Sequence, residues 1–461
     1  MNPSSSHFPP GLVAGAATAD ITPLQPVFLF GYPHVAREST GVHDPLECSA
    51  FYLCDGAGRA LLLAHDLIFV PRALAVDARQ RISRATGLKP DEILLSGTHT
   101  HSGPVTVDQV ANAADPHVPK TDAGYLAWLC ERIVETACRA VNGAVPAELG
   151  QAVAQAPEKG GNRHDPAGPS DPEVPVLLAR SRETGAPIGC MVVHAMHPTV
   201  LHEDSTLISG DFPHFTREYL RANVLPRGCP VVYHNGASGD QSPRHIIRAN
   251  TFSEAQRLGA SLGRAIAGAM AAMSFTTRVR IAARRSWIEL EPRDFPTVAA
   301  AEDALRRARE RHQLLERTGA SGPAVRTAEC DVFGAEETVE LARAAIDGRL
   351  EVAIRARTPA EIQAIAIGAW TFVGWPGEFF VAYALALRAQ APGTFVITLA
   401  NGELQGYIVT PEAAANRCYE AGNAVFAPAN GQRFVDATLA LIATESPETS
   451  LLHASVPIPP L

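Results

Sequence analysis

Residues 59–104 run RALLLAHDLIFVPRALAVDARQRISRATGLKPDEILLSGTHTHSGP, and the order of their patterns decides the fold. Arg59–Val70 is a continuous apolar run of the kind a buried strand requires. Ala73–Thr86 carries helical spacing, and Glu92–Ser96 is short and apolar again. Strand, helix and strand over this length predict a parallel pair joined by a right-handed crossover. The segment after Ser96 then stands at the carboxyl edge of a sheet, and that segment is GTHTHSGP, residues 97–104.

Outward from this unit the same grammar recurs. Gly124–Gly143 is an amphipathic helix, and Glu158–Pro172 (EKGGNRHDPAGPSDP) is a loop dense in Gly, Pro and Asp. Val174–Ala179 and Ile188–Val193 are strands, the second running into HAMHPT. Cys229–Tyr233 is a strand running into HNGASGDQSP. Glu361–Trp375 as strand, Glu378–Ala391 as helix and Thr394–Leu399 as strand form a second crossover unit that ends in ANGELQGY. Apolar strands therefore end repeatedly in polar loops, where a rigid scaffold displays chemistry. Between the two units, Thr297–Gly348 is rich in Ala, Arg and Glu. It is expected to be an inserted pair of exposed, solvated helices.

The chain has 461 residues, 46% hydrophobic and 19% charged, the composition of a soluble globular protein. Its 39 basic and 48 acidic residues leave a net charge of −9, which argues against a phosphate-backbone footprint and so against nucleic acid as a partner. The eight cysteines include no CxxC pair and are expected to be reduced, mostly buried thiols. The opening MNPSSSHFPPGLVAG has neither a basic start nor an apolar run of signal-peptide length. The uncharged, strongly apolar stretch Ile362–Gly377 is broken by glycines and Pro376 and falls short of the ~20 residues of a membrane span. No integral membrane segment and a cytoplasmic location are therefore expected.

His99 and His101 form a His-x-His pair. In an extended stretch this spacing turns both rings to the same side, so they share a pocket as two ligands, or as one ligand and one acid/base. Six histidines fall between His194 and His245, and His197 is the best further ligand because Pro198 ends regular pairing just past a strand. His194 and His202 fit ordinary packed or surface positions better. Glu378, at a strand-to-helix turn, and Tyr407, in GELQGY, are candidate oxygen ligands. In the small-residue loop 236–243, Asp240 or Ser242 either orients water or substrate or closes a tight turn. Arg163 is either a clamp for an oxyanion or carboxylate, or a solvated loop charge. GxSxG is absent, which removes the nucleophile elbow of serine hydrolases.

These fragments, in this order, resemble the neutral/alkaline non-lysosomal ceramidase family. GTHTHSGP is similar to its signature. Asp20–Pro23 with Gly31-Tyr32, Asn162-Arg163, His197–Thr199, SGDFP, GDQSP, WPGEFF and GYIVTPE followed by CYE are similar to its other motifs. The resemblance runs from about Gly15 to about Ile442 and covers the catalytic region without the immunoglobulin-like domain of longer members. It implies an α/β fold, a layered sandwich of two sheets flanked by helices, with a single zinc hydrolase domain over residues 12–461 and a helical insertion at 297–348. It further implies Zn2+ held by His99, His197, Glu378 and Tyr407, with His101, Arg163, Asp240, Ser242 and Tyr419 as the other active-site residues. The implied reaction is hydrolysis of an N-acyl amide by metal-activated water, on a small-molecule or lipid-like substrate.

The chain departs from the family at two places. Alanines in TPEAAANRCYE replace a further tyrosine, and GDQSPR carries Arg244 where asparagine is usual. A small soluble amide, ester or lactam is therefore the alternative substrate class. A barrel amidohydrolase would show its His-x-His close to the first strand with a bridging lysine, and a binding protein on this scaffold would be expected to have lost a ligand position. Neither pattern is present.

Overall fold

In the computed structural model, which describes residues 11–32, 34–156 and 161–443, the apolar run after Arg59 is a strand only as far as His65. The first residues of the Glu158–Pro172 loop and residues 444–461 of the expected domain lie outside the described residues. One mixed sheet holds β1 (Val13–Asp20), β2 (Glu47–Cys54), β3 (Arg59–His65), β4 (Ile93–Gly97), β5 (Val145–Gln155), β6 (Glu173–Ser181), β7 (Pro187–His194), β8 (Val231–Asn235) and the short β9 (Phe275–Thr276). Its spatial order is β8-β7-β6-β5-β1-β2-β3-β4, with β9 paired to β5. A second sheet, β10 (Ile281–Ile288), β11 (Ala360–Ile367), β12 (Trp370–Gly374) and β13 (Thr394–Ile397), is ordered as numbered. The parallel neighbours are β3/β4, β7/β8 and β12/β13.

Alternation along β3 explains its unbroken apolar run. Leu62 faces the second sheet, where Phe51, Leu94 and Met191 meet Ile365, Phe372 and Phe395. Leu61 and Leu63 face the other way, onto α1 (Arg72–Thr86) and α2 (Ala123–Asn142) through Ile82, Leu129 and Ile133. Farther along the same face, Val176, Val192 and Tyr233 pack on α3 (Asp211–Asn223) and α4 (Phe252–Ala271). The outer face of the second sheet is covered in turn, so the layers run helix, sheet, sheet, helix as the resemblance implied. Local chemistry sets the helix limits. The Asp122 carboxylate accepts from Gly124 N and Tyr125 N at the start of α2, and Gly87, at φ 71°, closes α1 in the left-handed conformation that glycine adopts freely. Among the described residues no helix is long and apolar enough to cross a membrane.

Three expectations are corrected. Glu361–Trp375 is two antiparallel strands, not one, turning at Gly368 with φ 62°. The turn is hidden because the sequence on both sides of it is almost wholly uncharged and apolar. The helix expected from Glu378 begins at Val381, because Glu378–Phe379 instead pairs in parallel with Tyr407–Ile408. The inserted segment is indeed helical, α5 (Val298–Arg317) and α6 (Gly322–Asp347), followed by α7 (Arg349–Arg357). Yet of the expected pair only α5 is solvated, burying Ala301 alone. Helix α6 buries Val339, Leu341, Ala342 and Ala344, and grips the short α10 (Tyr419–Asn423) that follows α9 (Pro411–Ala415). The Thr338 hydroxyl donates to Gly422 O at 2.8 Å, and Gly334 lies against Tyr419. Its buried face sets only Val332, Val339 and Leu341 among small and acidic residues, which is why composition read it as surface.

One of those acids is Glu337, which is 2% exposed and accepts from Asn423. Burial outweighs the Asn423 hydrogen bond and raises its pKa from 4.5 to about 7. The folded state thus holds a proton that the unfolded chain has released, and stability falls as pH rises from about 4.5 through about 7. Glu337→Gln removes this dependence. Relative to the parent, its thermal stability should improve by the equivalent of about 2–3 kcal/mol between pH 4.5 and 8. Melting both proteins across that range tests it, and a pH-independent difference would remove the assignment.

Candidate metal centre

Each parallel pair delivers its loops to the same edge of the sandwich, the carboxyl side where open α/β sheets bind ligands. His99 follows β4, His197 follows β7, Asp240 and Ser242 follow β8, Glu378 follows β12 and Tyr407 follows β13. The His-x-His pair is not extended as expected. His99 has φ 74°, and its turn is held by hydrogen bonds from Thr98 N to His65 O and from His99 N to Leu67 O. The two rings still converge, with centroids 5.0 Å apart.

At the floor, His99 Nε2 lies 3.0 Å from His197 Nε2, and Glu378 Oε2 lies 3.1 and 3.2 Å from the two nitrogens. The opposite ring atoms are already spent. His99 Nδ1 donates to Ile68 O at 3.0 Å, and His197 Nδ1 to Ser238 O at 2.6 Å. This fixes both tautomers, so two nitrogen lone pairs and a carboxylate oxygen face one another in a buried pocket with no proton among them. Burial, with the neighbouring His99 ring second, holds the His197 ring neutral, its pKa lowered to about 4. Three converging acceptors repel unless a cation sits between them, so this donor set fits a divalent metal ion.

His101 completes a group with His99 and His197 whose ligand atoms lie within 4.8 Å of one another. Both of its ring nitrogens lack a partner, and burial followed by the neighbouring rings keeps it neutral. Tyr32 meets it edge-on at 5.2 Å, and Gly31 passes so close, at φ 122°, that a Cβ would run into the ring. Tyr407 stacks on His197 at 6.5 Å and meets Tyr419 at 6.1 Å. Burial, with Glu378 adding, pushes the Tyr407 phenol well above its usual range against the pull of Arg163. It is therefore neutral unless a metal draws off its proton.

Arg163 is not a free clamp. Its Nε lies 2.5 Å from Glu420, its Nη2 donates to Gly239 O at 2.5 Å, and its guanidinium carbon lies over the Tyr407 ring, 5.4 Å from the centroid. Asp240 is equally engaged: Oδ1 accepts from Val381 N at the start of α8 (Val381–Gln390) at 2.8 Å, and Oδ2 accepts from Asn162 at 2.8 Å. Ser242 Oγ accepts from Arg244 N at 3.2 Å. His194 packs against Phe212 and His202 lies beside Glu203, and neither joins the cluster. A cavity of about 1060 Å³ opens above the floor, lined by His101, Arg163, Asp240, Ser242, Tyr407 and Tyr419 together with Phe333 and Cys330 of α6.

Reading residues from the sequence missed three contributors. Glu420 neutralises Arg163 and also lies 2.9 Å from His164. Arg37, buried, donates to Ser205 O at 2.8 Å and Ser102 Oγ at 3.1 Å beneath the His101 loop. Asp211 accepts from Val200 N and Leu201 N at 3.0 and 2.9 Å, which fixes the loop after His197. Only position could have flagged them: Glu420 adjoins Tyr419, and Asp211 stands in SGDFP.

No protein-family model matches the chain. Over 218 residues it is 27% identical to neutral ceramidase B of Dictyostelium discoideum, and over 258 residues 26% identical to neutral ceramidase A of the same organism. These stretches cover 43% and 50% of this chain, and 30% and 35% of those proteins, so the match spans about a third of their length. The solved neutral ceramidase of Pseudomonas aeruginosa superposes with a TM-score of 0.71 at 19% identity, covering 94% of this chain and 75% of that one. A ceramidase complexed with C2 superposes at 0.72 and 18% identity with the same coverage. The fold is that of the neutral ceramidases.

Proposed function

We propose, on the premise that this chain is a relative of the neutral ceramidases in sequence and fold, that it is a metal-dependent hydrolase cleaving an N-acyl amide bond. The observation that carries this reading is the floor of the site, where two tautomer-locked histidines and a carboxylate turn acceptors on one another at 3.0–3.2 Å. His99, His197 and Glu378 would hold the ion, with the Tyr407 phenolate as fourth ligand, and this nitrogen–oxygen set suits zinc. Bound there, the ion would polarise the acyl carbonyl and lower the pKa of water.

The remaining roles belong to side chains. In the net reaction the water oxygen bonds to the acyl carbon, the C–N bond breaks, and the water's proton ends on the leaving nitrogen. His101, with neither nitrogen engaged, is placed to take that proton and hand it on. Tyr419 faces the same space and supplies a hydroxyl donor to the developing oxyanion. Arg163 acts through Tyr407, over whose ring its guanidinium lies, and Asp240 acts through Val381 by anchoring the helix after Glu378. Ser242, on the cavity wall, shapes the substrate side.

A small soluble amide, ester or lactam is a second reading, favoured by the charged cavity wall in which Arg311 and Arg326 meet Asp331, Glu203 and Glu329. Metal analysis of the purified protein, combined with hydrolysis of N-acyl amides from acetyl to palmitoyl and a ceramide analogue, decides between them. About one zinc per chain is expected, with turnover lost on chelation and restored by zinc. Long-acyl turnover favours the ceramidase-like substrate and short-acyl turnover the soluble one. Hydrolysis indifferent to chelators, or a protein that binds no metal, would overturn the proposal.

A further inference from the structure

The charges around the cavity are nearly all spent on one another. Arg311 pairs with Asp331 at 2.7 Å, Arg326 pairs with Glu203 at 2.8 Å and Glu329 at 2.7 Å, and Arg163 pairs with Glu420. Arg244 is the exception within the wall. It sits on the single helical turn Pro243–His245, half-buried, with its backbone N tied to Ser242 Oγ. Its guanidinium approaches only the Cys330 thiol, 3.7 Å from Nη2, and has no carboxylate at ion-pair distance among the described residues. Arg417, exposed on the loop before Tyr419, lines the same cavity and likewise has no carboxylate partner among the described residues. The one lining carboxylate left without a partner there is the exposed Glu412.

A guanidinium offers five N–H donors in a planar fork, and a thiol satisfies at most one of them weakly. A half-buried guanidinium aimed into a ligand cavity with its fork open matches the bidentate geometry of a carboxylate. Arg244 also stands two residues from Ser242 and four from Asp240, so its distance from the metal floor is set by a short, anchored stretch of chain. We propose that the amide this site hydrolyses carries a carboxylate, docked on Arg244 with Arg417 adding positive charge at the mouth. This substrate class rests on the hydrolytic reading above and narrows it.

The test uses two matched pairs on the zinc-loaded protein. N-octanoylglycine against N-octanoylglycinamide places the carboxylate on the amine side, and glutaryl anilide against butyryl anilide places it on the acyl side. In at least one pair the charged member is expected to show a higher kcat/KM by about tenfold or more, and Arg244→Gln should collapse that preference by about 10–100-fold, in KM rather than kcat. Preference for the neutral member in both pairs, or an equal effect of Arg244→Gln on both members, overturns the proposal. Calorimetric binding of the same four compounds separates this failure from that of the hydrolytic reading. If none is cleaved, tighter binding of the charged member that Arg244→Gln abolishes still supports the docking site, and equal binding of charged and neutral members refutes it.

Discussion

His99→Ala is expected to lose metal and turnover together, whereas His101→Ala keeps the metal and loses turnover. Removing His99 deletes one of the only two nitrogen ligands and leaves His197, Glu378 and a Tyr407 phenol that burial keeps protonated, a set that holds an ion far less tightly. Loss of an ion that stabilises developing charge by several kcal/mol lowers the rate by about 10³-fold or more. His101 contributes no atom to the 3.0–3.2 Å contacts at the floor, and both of its nitrogens are unengaged. Its removal should therefore cost the proton-transfer component, about 10²–10⁴-fold in kcat, at unchanged metal content. Elemental analysis and kinetics on the two variants separate the roles. A His99→Ala protein with full metal would sink the ligand set, and metal loss in His101→Ala would move that ring into it.

Arg163→Met is expected to be the most damaging change to stability among the site residues. It leaves the Glu420 carboxylate, 1% exposed, without the guanidinium 2.5 Å away. Breaking a buried pair from one side costs about 3–5 kcal/mol, because the remaining charge is stranded in low dielectric. His164 still faces the other oxygen at 2.9 Å, which puts the expected loss at the lower end of that range. The double variant Arg163→Met/Glu420→Gln should regain much of the thermal stability, since it buries neither charge. It should not regain turnover, because the positive charge beside Tyr407, which favours its ionised form, is still missing. A single variant as stable as the parent would show that the pair is not buried in solution.

What could be read in advance and what could not divide along a physical line. Elements whose sequence pattern is local were legible: the crossover of β3, α1 and β4 is written in two apolar runs around a helical repeat, and the second crossover likewise. That the proposed ligands would meet was legible because each follows a strand end, where topology alone directs it to the carboxyl edge. The hairpin of β11 and β12 was not, since a two-sided buried pair and one long buried strand share the same apolar signature. Nor was the inward face of α6, whose alanines and acids look solvated until Asn423 and Gly422 are placed beside them. Glu420 meets Arg163 from the far end of the chain and Asp211 meets Val200 across 11 residues of loop, and no periodicity marks either pairing.

The four proposed ligands are shared between the two sheets: His99 and His197 come after strands of the larger one, Glu378 and Tyr407 after strands of the smaller. Neither sheet on its own owns enough donors to grip an ion. Metal affinity is thus a gauge of how firmly the two halves of the sandwich are docked, and an ion in place works as a rivet at the open edge. Substitutions deep between the sheets, far from any reacting atom, would be felt at the site as weakened metal retention before the fold itself gives way.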